Sequence, residues 1–178
     1  MDETYHYSPL TSSRSIRTVV LEGAAQKTAQ LRCSLIDVDL DNPASHEYEA
    51  LSYVWGSPDP PYEIVCSGKS INITGNCASA LRNLRLKSRE RILWIDAICI
   101  DQSSTAERNS QVSMMGEIYG KASTTLAWLG EGDPQSRPIF KFLTRYLLLN
   151  GPRRSSTMYN GVLTGIRRLR SRFAEFVE

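Results

Sequence analysis

Two apolar runs of the sequence end in the first candidates for chemistry. Trp55 and Gly56 end the run that begins at residue 50, and Asp96 follows the run at 92–95. In an open α/β sheet, ligands bind outside the carboxyl ends of the strands. We therefore predict a binding cleft at this edge, while packing of Trp55 and Trp94 in the core stays open as the alternative. The cleft residues on these two segments are Trp55, Gly56, Asp96, Asp101 and Gln102.

A predicted helix carries the second group of candidates. We expect this helix from Ser104 to Ala122, and on its helical wheel Glu107, Arg108 and Gln111 fall on the apolar face at the first turn. A charged group is costly to bury alone, so inward-facing charges need partners or a cleft. The pattern therefore predicts that these three side chains join the same cleft.

The charged candidates also have structural interpretations that stay open at the level of sequence. Asp96 can contact a loop or cap a helix. The spacing Ser104-x-x-Glu107 is that of a capping box, in which Glu107 would cap the helix. Arg108 can pair with Asp96 or Asp101, which would make the group a salt-bridge network.

Several familiar kinds of site are absent from the sequence. It has no G-x-G-x-x-G or Walker phosphate loop, and neither His6 nor His46 lies in a Ser-His-Asp or Cys-His arrangement. The cysteines include no C-x-x-C pair, so we expect no metal site. We expect reduced and mostly buried thiols at all four cysteines, Cys33, Cys66, Cys77 and Cys99.

Short strands and one helix are expected in the first half of the chain. The first two strands should pair with each other, and the last two should form a hairpin around Ser67-Gly68-Lys69. The predicted strands are 16–21, 30–40, 50–55, 63–66 and 70–73. A helix then follows, with Cys77, Leu81 and Leu84 on its apolar stripe.

The second half alternates between helices and apolar strands. Buried strands are expected at 92–95 and 124–129, and further helices at 138–149 and 162–177. This alternation favours parallel strands with helices on their faces. The predicted fold class is therefore α/β, with a mostly parallel sheet flanked by helices and β-hairpins added at the N-terminal end. The strands at 50–55, 92–95 and 124–129 should be neighbours in that sheet.

The bulk properties are those of one globular domain. The chain has 178 residues, which we divide into a flexible N-terminal arm, 1–14, and a single domain, 15–178, with its motif core at about 48–132. A net charge of +2 is too small to indicate nucleic-acid binding. We find no membrane-spanning apolar run and no secretory signal, so the expected location is cytoplasmic.

Three separated motif blocks carry a resemblance to a known family. They read Y-E-A-L-S-Y-V-W-G at 48–56, L-W-I-D-A-I-C-I-D-Q at 93–102, and E-R-x-x-Q-V-x-x-M-x-x-I-Y-x-x-A at 107–122, followed by W-L-G at 128–130. In order and spacing they resemble the heterokaryon incompatibility (HET) domain family, over about residues 16–132. Two positions depart from the family pattern, because Asp101 stands where Asn is usual and Cys77 where Leu is expected.

The HET resemblance implies a role in fungal non-self recognition. HET domains are similar to effectors that trigger cell death and are joined to sensor modules. The domain would then be a signalling module that works through self-association or the recruitment of protein partners. Nucleic acid is not an expected partner.

HET domains also look distantly similar to Toll/interleukin-1 receptor (TIR) domains, some of which cleave NAD. In that comparison the acidic catalytic residue would fall in 138–149, which contains no Asp or Glu. Glu107 and Asp96 are therefore the candidate catalytic carboxylates. One of them would stabilise the developing oxocarbenium charge at the ribose. No bound cofactor is expected, and NAD is a candidate substrate only.

Overall fold

The computed structural model describes residues 4–42 and 47–132 of the chain. This part of the chain is α/β, with a seven-stranded sheet and three helices. The elements in chain order are β1 (Ser15–Leu21), β2 (Arg32–Asp39), β3 (Glu49–Tyr53), β4 (Tyr62–Cys66), β5 (Lys69–Ile73), α1 (Gly75–Leu84), β6 (Arg91–Trp94), α2 (Asp96–Cys99), α3 (Thr105–Lys121) and β7 (Thr124–Trp128). The helices predicted at 138–149 and 162–177 lie outside the described residues. None of the described helices has the length and apolar character needed to cross a membrane.

Two antiparallel pairs are formed in the first half of the chain. β1 pairs with β2 along its whole length, from Ser15 to Leu21. β4 and β5 are joined by Ser67 and Gly68, whose φ angles are 50° and 83°. Two residues with positive φ form the kind of turn whose twist matches a two-residue hairpin. Both strand pairs predicted from the sequence are confirmed.

The order of strands across the sheet is β5-β4-β2-β1-β6-β3-β7. β3 is parallel to β6 on one side and to β7 on the other, which confirms that these three predicted strands are neighbours. The prediction of a mostly parallel sheet is wrong, because three of the six pairings between described strands are antiparallel. The prediction relied on the alternation of helices and strands, and that alternation occurs only in the second half of the chain. β1 lies in the middle of the sheet and runs antiparallel to both β2 and β6.

The two longer helices begin at side-chain caps. The Thr74 hydroxyl accepts a hydrogen bond from the Cys77 backbone N at 3.2 Å and starts α1, whose predicted apolar stripe is buried. Ser104 is the N-cap of α3, as the sequence predicts. The short helix α2 follows β6 directly and precedes the loop that holds Asp101 and Gln102. This additional turn fixes the direction in which the chain leaves the strand.

The core lies between the sheet and the helices. Ile118 of α3 and Trp94 of β6 are fully buried. The ring of Trp94 meets Tyr119 edge-on, with centroids 5.5 Å apart. Trp128, at the end of β7, is 5% exposed and donates a hydrogen bond from Nε1 to Asn76 Oδ1 at 3.0 Å. The four cysteines are free and buried, as expected.

Residues 4–14 lie against the rest of the described chain. The backbone N of Tyr5 donates to the carbonyl oxygen of Ser70 in β5 at 2.9 Å. The hydroxyl of Tyr7 donates to the carbonyl oxygen of Ile98 in α2, also at 2.9 Å. These contacts connect the N-terminal segment to the edge of the sheet and to the turn that follows β6.

Candidate functional site

The ends of two parallel strands bring Trp55 and Asp96 together. β3 ends at Tyr53 and β6 ends at Trp94, and the two strands are parallel neighbours. The Trp55 indole Nε1 donates a hydrogen bond to Asp96 Oδ2 at 2.8 Å. Gly56 follows with φ of +74°, a left-handed conformation that glycine adopts without strain. The predicted meeting of Trp55 and Asp96 is therefore confirmed.

The Asp96 carboxylate has neutral hydrogen-bond donors. Its Oδ1 accepts from the Ala97 backbone N at 2.8 Å, and its Oδ2 accepts from Trp55. Gln102 approaches the same residue by donating from Nε2 to the Asp96 carbonyl oxygen at 2.8 Å. Burial raises the pKa of Asp96, and the hydrogen bond from Trp55 offsets part of that rise. Among the described residues, no lysine or arginine forms a salt bridge with Asp96.

A small cavity opens beside this hydrogen bond. Its volume is about 140 Å³, which suits a side chain or a small ring. Most of its walls are apolar, and its polar groups come from Asn72, Thr74 and Gln102. The lining residues are Trp55, Pro58, Pro61, Asn72, Ile73, Thr74, Ala97 and Gln102. The cavity therefore combines an indole wall with neutral hydrogen-bonding groups.

Glu107 lies in a different place, where it forms a buried ion pair with Arg17. Arg17 Nη1 donates to Glu107 Oε1 at 2.5 Å, and Nη2 donates to Oε2 at 3.2 Å. Oε1 also accepts from the backbone N of Asp101 at 2.8 Å. The backbone N of Glu107 donates to Ser104 Oγ at 3.2 Å, so one half of the predicted capping box is formed. Both carboxylate oxygens of Glu107 are therefore engaged.

Arg17 is a residue that the sequence analysis missed. Its side chain is 4% exposed, although it lies in the middle of the apolar strand β1. Its guanidinium also donates to the carbonyl oxygens of Cys99 at 3.2 Å and Ser8 at 2.5 Å, and it lies 5.1 Å from the centre of the Tyr7 ring. A charged residue inside a buried strand needs a counter-charge, and that signal was present in the sequence.

The other two candidates on α3 do not enter a cleft. Gln111 is buried and donates from Nε2 to the carbonyl oxygen of Ser15 at 3.1 Å. Arg108 is exposed and donates to Thr105 Oγ1 at 3.3 Å, so its expected pairing with Asp96 or Asp101 is not formed. Val112, placed on the apolar face by its spacing, is 58% exposed. The buried face of α3 is narrower than the helical wheel indicates.

The predicted cleft residues fall into two groups. Trp55, Asp96 and Gln102 form one, and Asp101 joins Glu107 in the other. The Asp101 carboxylate accepts from Ser103 N at 2.9 Å and from Ser103 Oγ at 2.6 Å, and these contacts lower its pKa. An open cavity of about 420 Å³ adjoins the second group, lined by Tyr7, Ser8, Pro9, Leu10, Ser12, Ser13, Asp101, Ser104, Glu107 and Ser110.

The two groups differ in what they can do chemically. In the Arg17 and Glu107 group the charges neutralise each other, which suits a structural link. In the Trp55 and Asp96 group an acidic side chain without a cationic partner lies beside an exposed ring, which suits a binding site. Within the described residues, no group of three or more His, Cys, Asp or Glu side chains is arranged to hold a metal ion.

The family model named heterokaryon incompatibility protein (HET) matches residues 48–163. This chain belongs to the HET family. It is 34% identical over 144 residues to "Heterokaryon incompatibility protein 6, OR allele" of Neurospora crassa. The aligned region covers 74% of this chain and 21% of that protein, so the chain spans a minor part of its relative. No solved structure gives a significant match.

Several residues of the HET motif blocks connect β3 to α3. The Tyr48 hydroxyl donates to the carbonyl oxygen of Ile118 at 2.6 Å. The Tyr119 hydroxyl donates to the carbonyl oxygen of Leu51 at 3.1 Å. Trp94, from the middle block, is fully buried beneath Tyr119. In this HET domain the three motif blocks therefore meet in the core. The second block places Asp96 just beyond the carboxyl end of β6.

Proposed function

We propose that this HET domain is a cytoplasmic, cell-death-inducing signalling module of fungal non-self recognition that acts through contacts with proteins. The family match supports a role in incompatibility, because the similar Neurospora crassa protein is named for heterokaryon incompatibility. The geometry supports the second half of the proposal, action through protein contacts.

The observation that carries the proposal is an exposed apolar edge at the carboxyl ends of β3 and β7. Val54 and Leu129 are each 74% exposed, and Trp55 is 42% exposed. Tyr53 is opposite Trp128 in the parallel pair, so Val54 and Leu129 are the next residues along the two strands. Apolar side chains grouped on one exposed edge are typical of surfaces that bind other proteins. The edge formed by Val54, Trp55 and Leu129 is therefore the proposed contact surface.

The test is a killing assay in a fungal host with inducible expression of the chain. The double variant Val54→Ser and Leu129→Ser should lose killing, because the contact surface loses its apolar side chains. Its melting temperature should stay close to that of the parent, since both side chains are largely in solvent. Viability staining after induction measures the effect.

Val112→Ser is the matched control. Val112 is also an exposed valine, at 58%, but it lies on α3 rather than at the ends of β3 and β7. This variant should kill as the parent does. Full killing by the double variant, with the protein folded and expressed, contradicts the proposal. Equal loss of killing in Val112→Ser contradicts it as well, because the effect would then not belong to this edge.

A second candidate function is cleavage of NAD. The position of Asp96 makes it a better candidate than Glu107 for the carboxylate that acts in this reaction. The reaction would use water to give nicotinamide and ADP-ribose. The carboxylate of Asp96 would stabilise the positive charge that develops on the ribose as the glycosidic bond breaks. Asp96 lies at the strand ends beside the Trp55 ring, whereas Glu107 is already paired with Arg17.

Incubation of concentrated protein with NAD, followed by detection of free nicotinamide, tests this second function. The parent should release nicotinamide, and Asp96→Asn should not, because a neutral amide cannot stabilise the developing charge. Arg108→Gln is the control that should leave release unchanged, since Arg108 is exposed and bonds only to Thr105 among the described side chains. Absence of nicotinamide release by the parent, or equal release by Asp96→Asn, contradicts NAD cleavage at this site.

A further inference from the structure

Two cysteines lie side by side in the sheet, far from the strand-end site. Cys33 of β2 is paired in register with Cys66 of β4, and the two strands are parallel. Neighbouring strands are about 4.8 Å apart, within the Cα separation of about 4.4–6.8 Å that a disulfide spans. The side chains share one face of the sheet, because residues in register point to the same side. Both are buried, and both are free thiols.

Polar groups surround the sulfur of Cys66. The Cys33 thiol, the hydroxyls of Ser67 and Tyr5, and the backbone N–H of Leu35 all act to lower the pKa of Cys66. Donors of this kind stabilise a thiolate, so they lower the pKa of Cys66 despite its burial. The pKa of Cys33 is raised, because its proton is held in the hydrogen bond to Cys66 and its surroundings are apolar. Of the two thiols, Cys66 is therefore the one that loses its proton more readily.

The backbone at Ser67 supports this arrangement. Ser67 has a φ of 50°, in the left-handed region that Gly or Asn usually occupies in a two-residue hairpin turn. A glycine would fit this turn with less strain, but it has no hydroxyl. The serine keeps a donor next to Cys66, at the point where β4 ends.

We propose that Cys33 and Cys66 are a redox-reactive pair that hydrogen peroxide converts to a disulfide, with Cys66 as the attacking sulfur. Cys66 attacks one oxygen of the peroxide, the O–O bond breaks, and water leaves, which gives a sulfenic acid on Cys66. Cys33 then attacks that sulfur, the S–O bond breaks, and a second water leaves. The two thiols lose two electrons and two protons, and the peroxide is reduced to two waters. The disulfide would link β2 to β4. This inference does not depend on the proposed function.

The other two cysteines are internal controls. Cys77 and Cys99 are buried like the pair, and burial raises the pKa of each to about 12. Cys99 Sγ accepts a hydrogen bond from the backbone N of Ile95 at 3.2 Å, across the turn of α2. A thiol with so high a pKa has almost no thiolate at neutral pH, so it reacts slowly with peroxide.

The experiment exposes the folded chain of 178 residues to hydrogen peroxide, then denatures it, alkylates the remaining thiols and digests it with trypsin. Residues 33–69 contain no lysine or arginine before Lys69, so both cysteines of the pair fall in one peptide. Cys77 falls in peptide 70–82 and Cys99 in peptide 92–108. In peptide 33–69 both thiols should become resistant to alkylation, and the mass should fall by two hydrogen atoms. This loss of free thiol should be roughly tenfold faster than the loss of free thiol in the peptides with Cys77 and Cys99.

Two variants separate the attacking thiol from its partner. In Cys33→Ser the reaction should stop at the sulfenic acid, which dimedone traps on Cys66. In Cys66→Ser, dimedone should not label Cys33. Ser67→Gly keeps the turn, because glycine adopts its positive φ, and should slow disulfide formation several-fold without lowering the melting temperature.

The outcomes decide between reactive and inert thiols. Oxidation of Cys77 or Cys99 at the same rate as the pair overturns the proposal. Persistence of both thiols in peptide 33–69 after peroxide treatment overturns it too. Dimedone labelling of Cys33 in folded Cys66→Ser, at the rate seen for Cys66, would reject Cys66 as the attacking sulfur. An unchanged rate in Ser67→Gly would reject the role of that hydroxyl.

Discussion

Replacing Glu107 with glutamine tests whether this carboxylate is a structural partner of Arg17. Arg17 is nearly fully enclosed, with 4% of its side chain exposed, and the Glu107 side chain is 14% exposed. The substitution keeps the shape of the side chain and removes its charge. It leaves the buried guanidinium without the carboxylate that is bonded to it, which is costly in a protein interior. We therefore expect Glu107→Gln to destabilise the domain.

The magnitude follows from the two Arg17–Glu107 hydrogen bonds, at 2.5 and 3.2 Å. Hydrogen bonds to charged groups contribute about 1.5–3 kcal/mol, and bonds between neutral groups about 0.5–1.5 kcal/mol. The amide oxygen can still accept one bond, but the amide NH₂ is itself a donor and cannot accept the other. The expected loss is roughly 2–3 kcal/mol, below the roughly 3–5 kcal/mol for complete removal of one partner of a buried pair.

Urea unfolding followed by circular dichroism measures this loss. The matched control is Glu117→Gln on the same helix. Glu117 pairs with Arg14 at 2.6 Å and Lys121 at 2.9 Å, but its side chain is 36% exposed. An exposed pair contributes little, so the control should lose less than about 1 kcal/mol.

A double-mutant cycle makes the reasoning refutable. Arg17→Met removes the buried cation, so Glu107→Gln should cost less in that background than in the parent. The double variant should be more stable than the sum of the single effects predicts, by roughly 1 kcal/mol or more. Strict additivity, or a Glu107→Gln chain that unfolds at the same urea concentration as the parent, would show that the pair is not coupled.

Two further predictions concern Trp128 and Asp96. Trp128→Ala should lower the unfolding free energy by about 3–5 kcal/mol, because it empties a buried site and removes the bond to Asn76, and an unchanged melting temperature would contradict that burial. Burial raises the pKa of Asp96, so the native state holds the proton of this carboxyl group more tightly than the unfolded chain does. The stability that protonated Asp96 contributes is therefore present at low pH and is lost as the pH rises through the native pKa. Trp55 fluorescence should then titrate above the ordinary aspartate pKa of about 3.9, and Asp96→Asn should remove the transition. A transition that persists in Asp96→Asn would assign it to another group.

Most of the local structure could be predicted from the sequence, because local rules determine it. Periodic apolar residues located the strands, and the Ser104 cap located the start of α3. The direction of β1 in the sheet could not be predicted in the same way. β1 meets β6 between residues 70 or more positions apart in the chain, such as Val19 and Leu93. No local pattern specifies a pairing over that distance.

The candidate site was predictable only where strand order determined it. Trp55 and Asp96 follow adjacent parallel strands, so their meeting followed from the topology. The prediction that Arg108 faces the cleft was wrong, because a helical wheel does not show how wide the buried face of a helix is. Glu107 was placed facing inward, as found, but its partner Arg17 lies 90 positions away in the chain. The sequence pointed to a need for a counter-charge without identifying which residue supplies it.

The two candidate carboxylates differ in the charge that faces them, and this difference assigns their roles. A carboxylate that stabilises a cationic transition state must offer its negative charge to the substrate. The charge of Glu107 is already offset by Arg17, and an incoming ligand would have to displace a buried guanidinium. Asp96 has only neutral donors, from Trp55 and the Ala97 backbone. Chemistry at this edge of the domain would therefore depend on Asp96, while Glu107 determines how firmly α3 is held to β1.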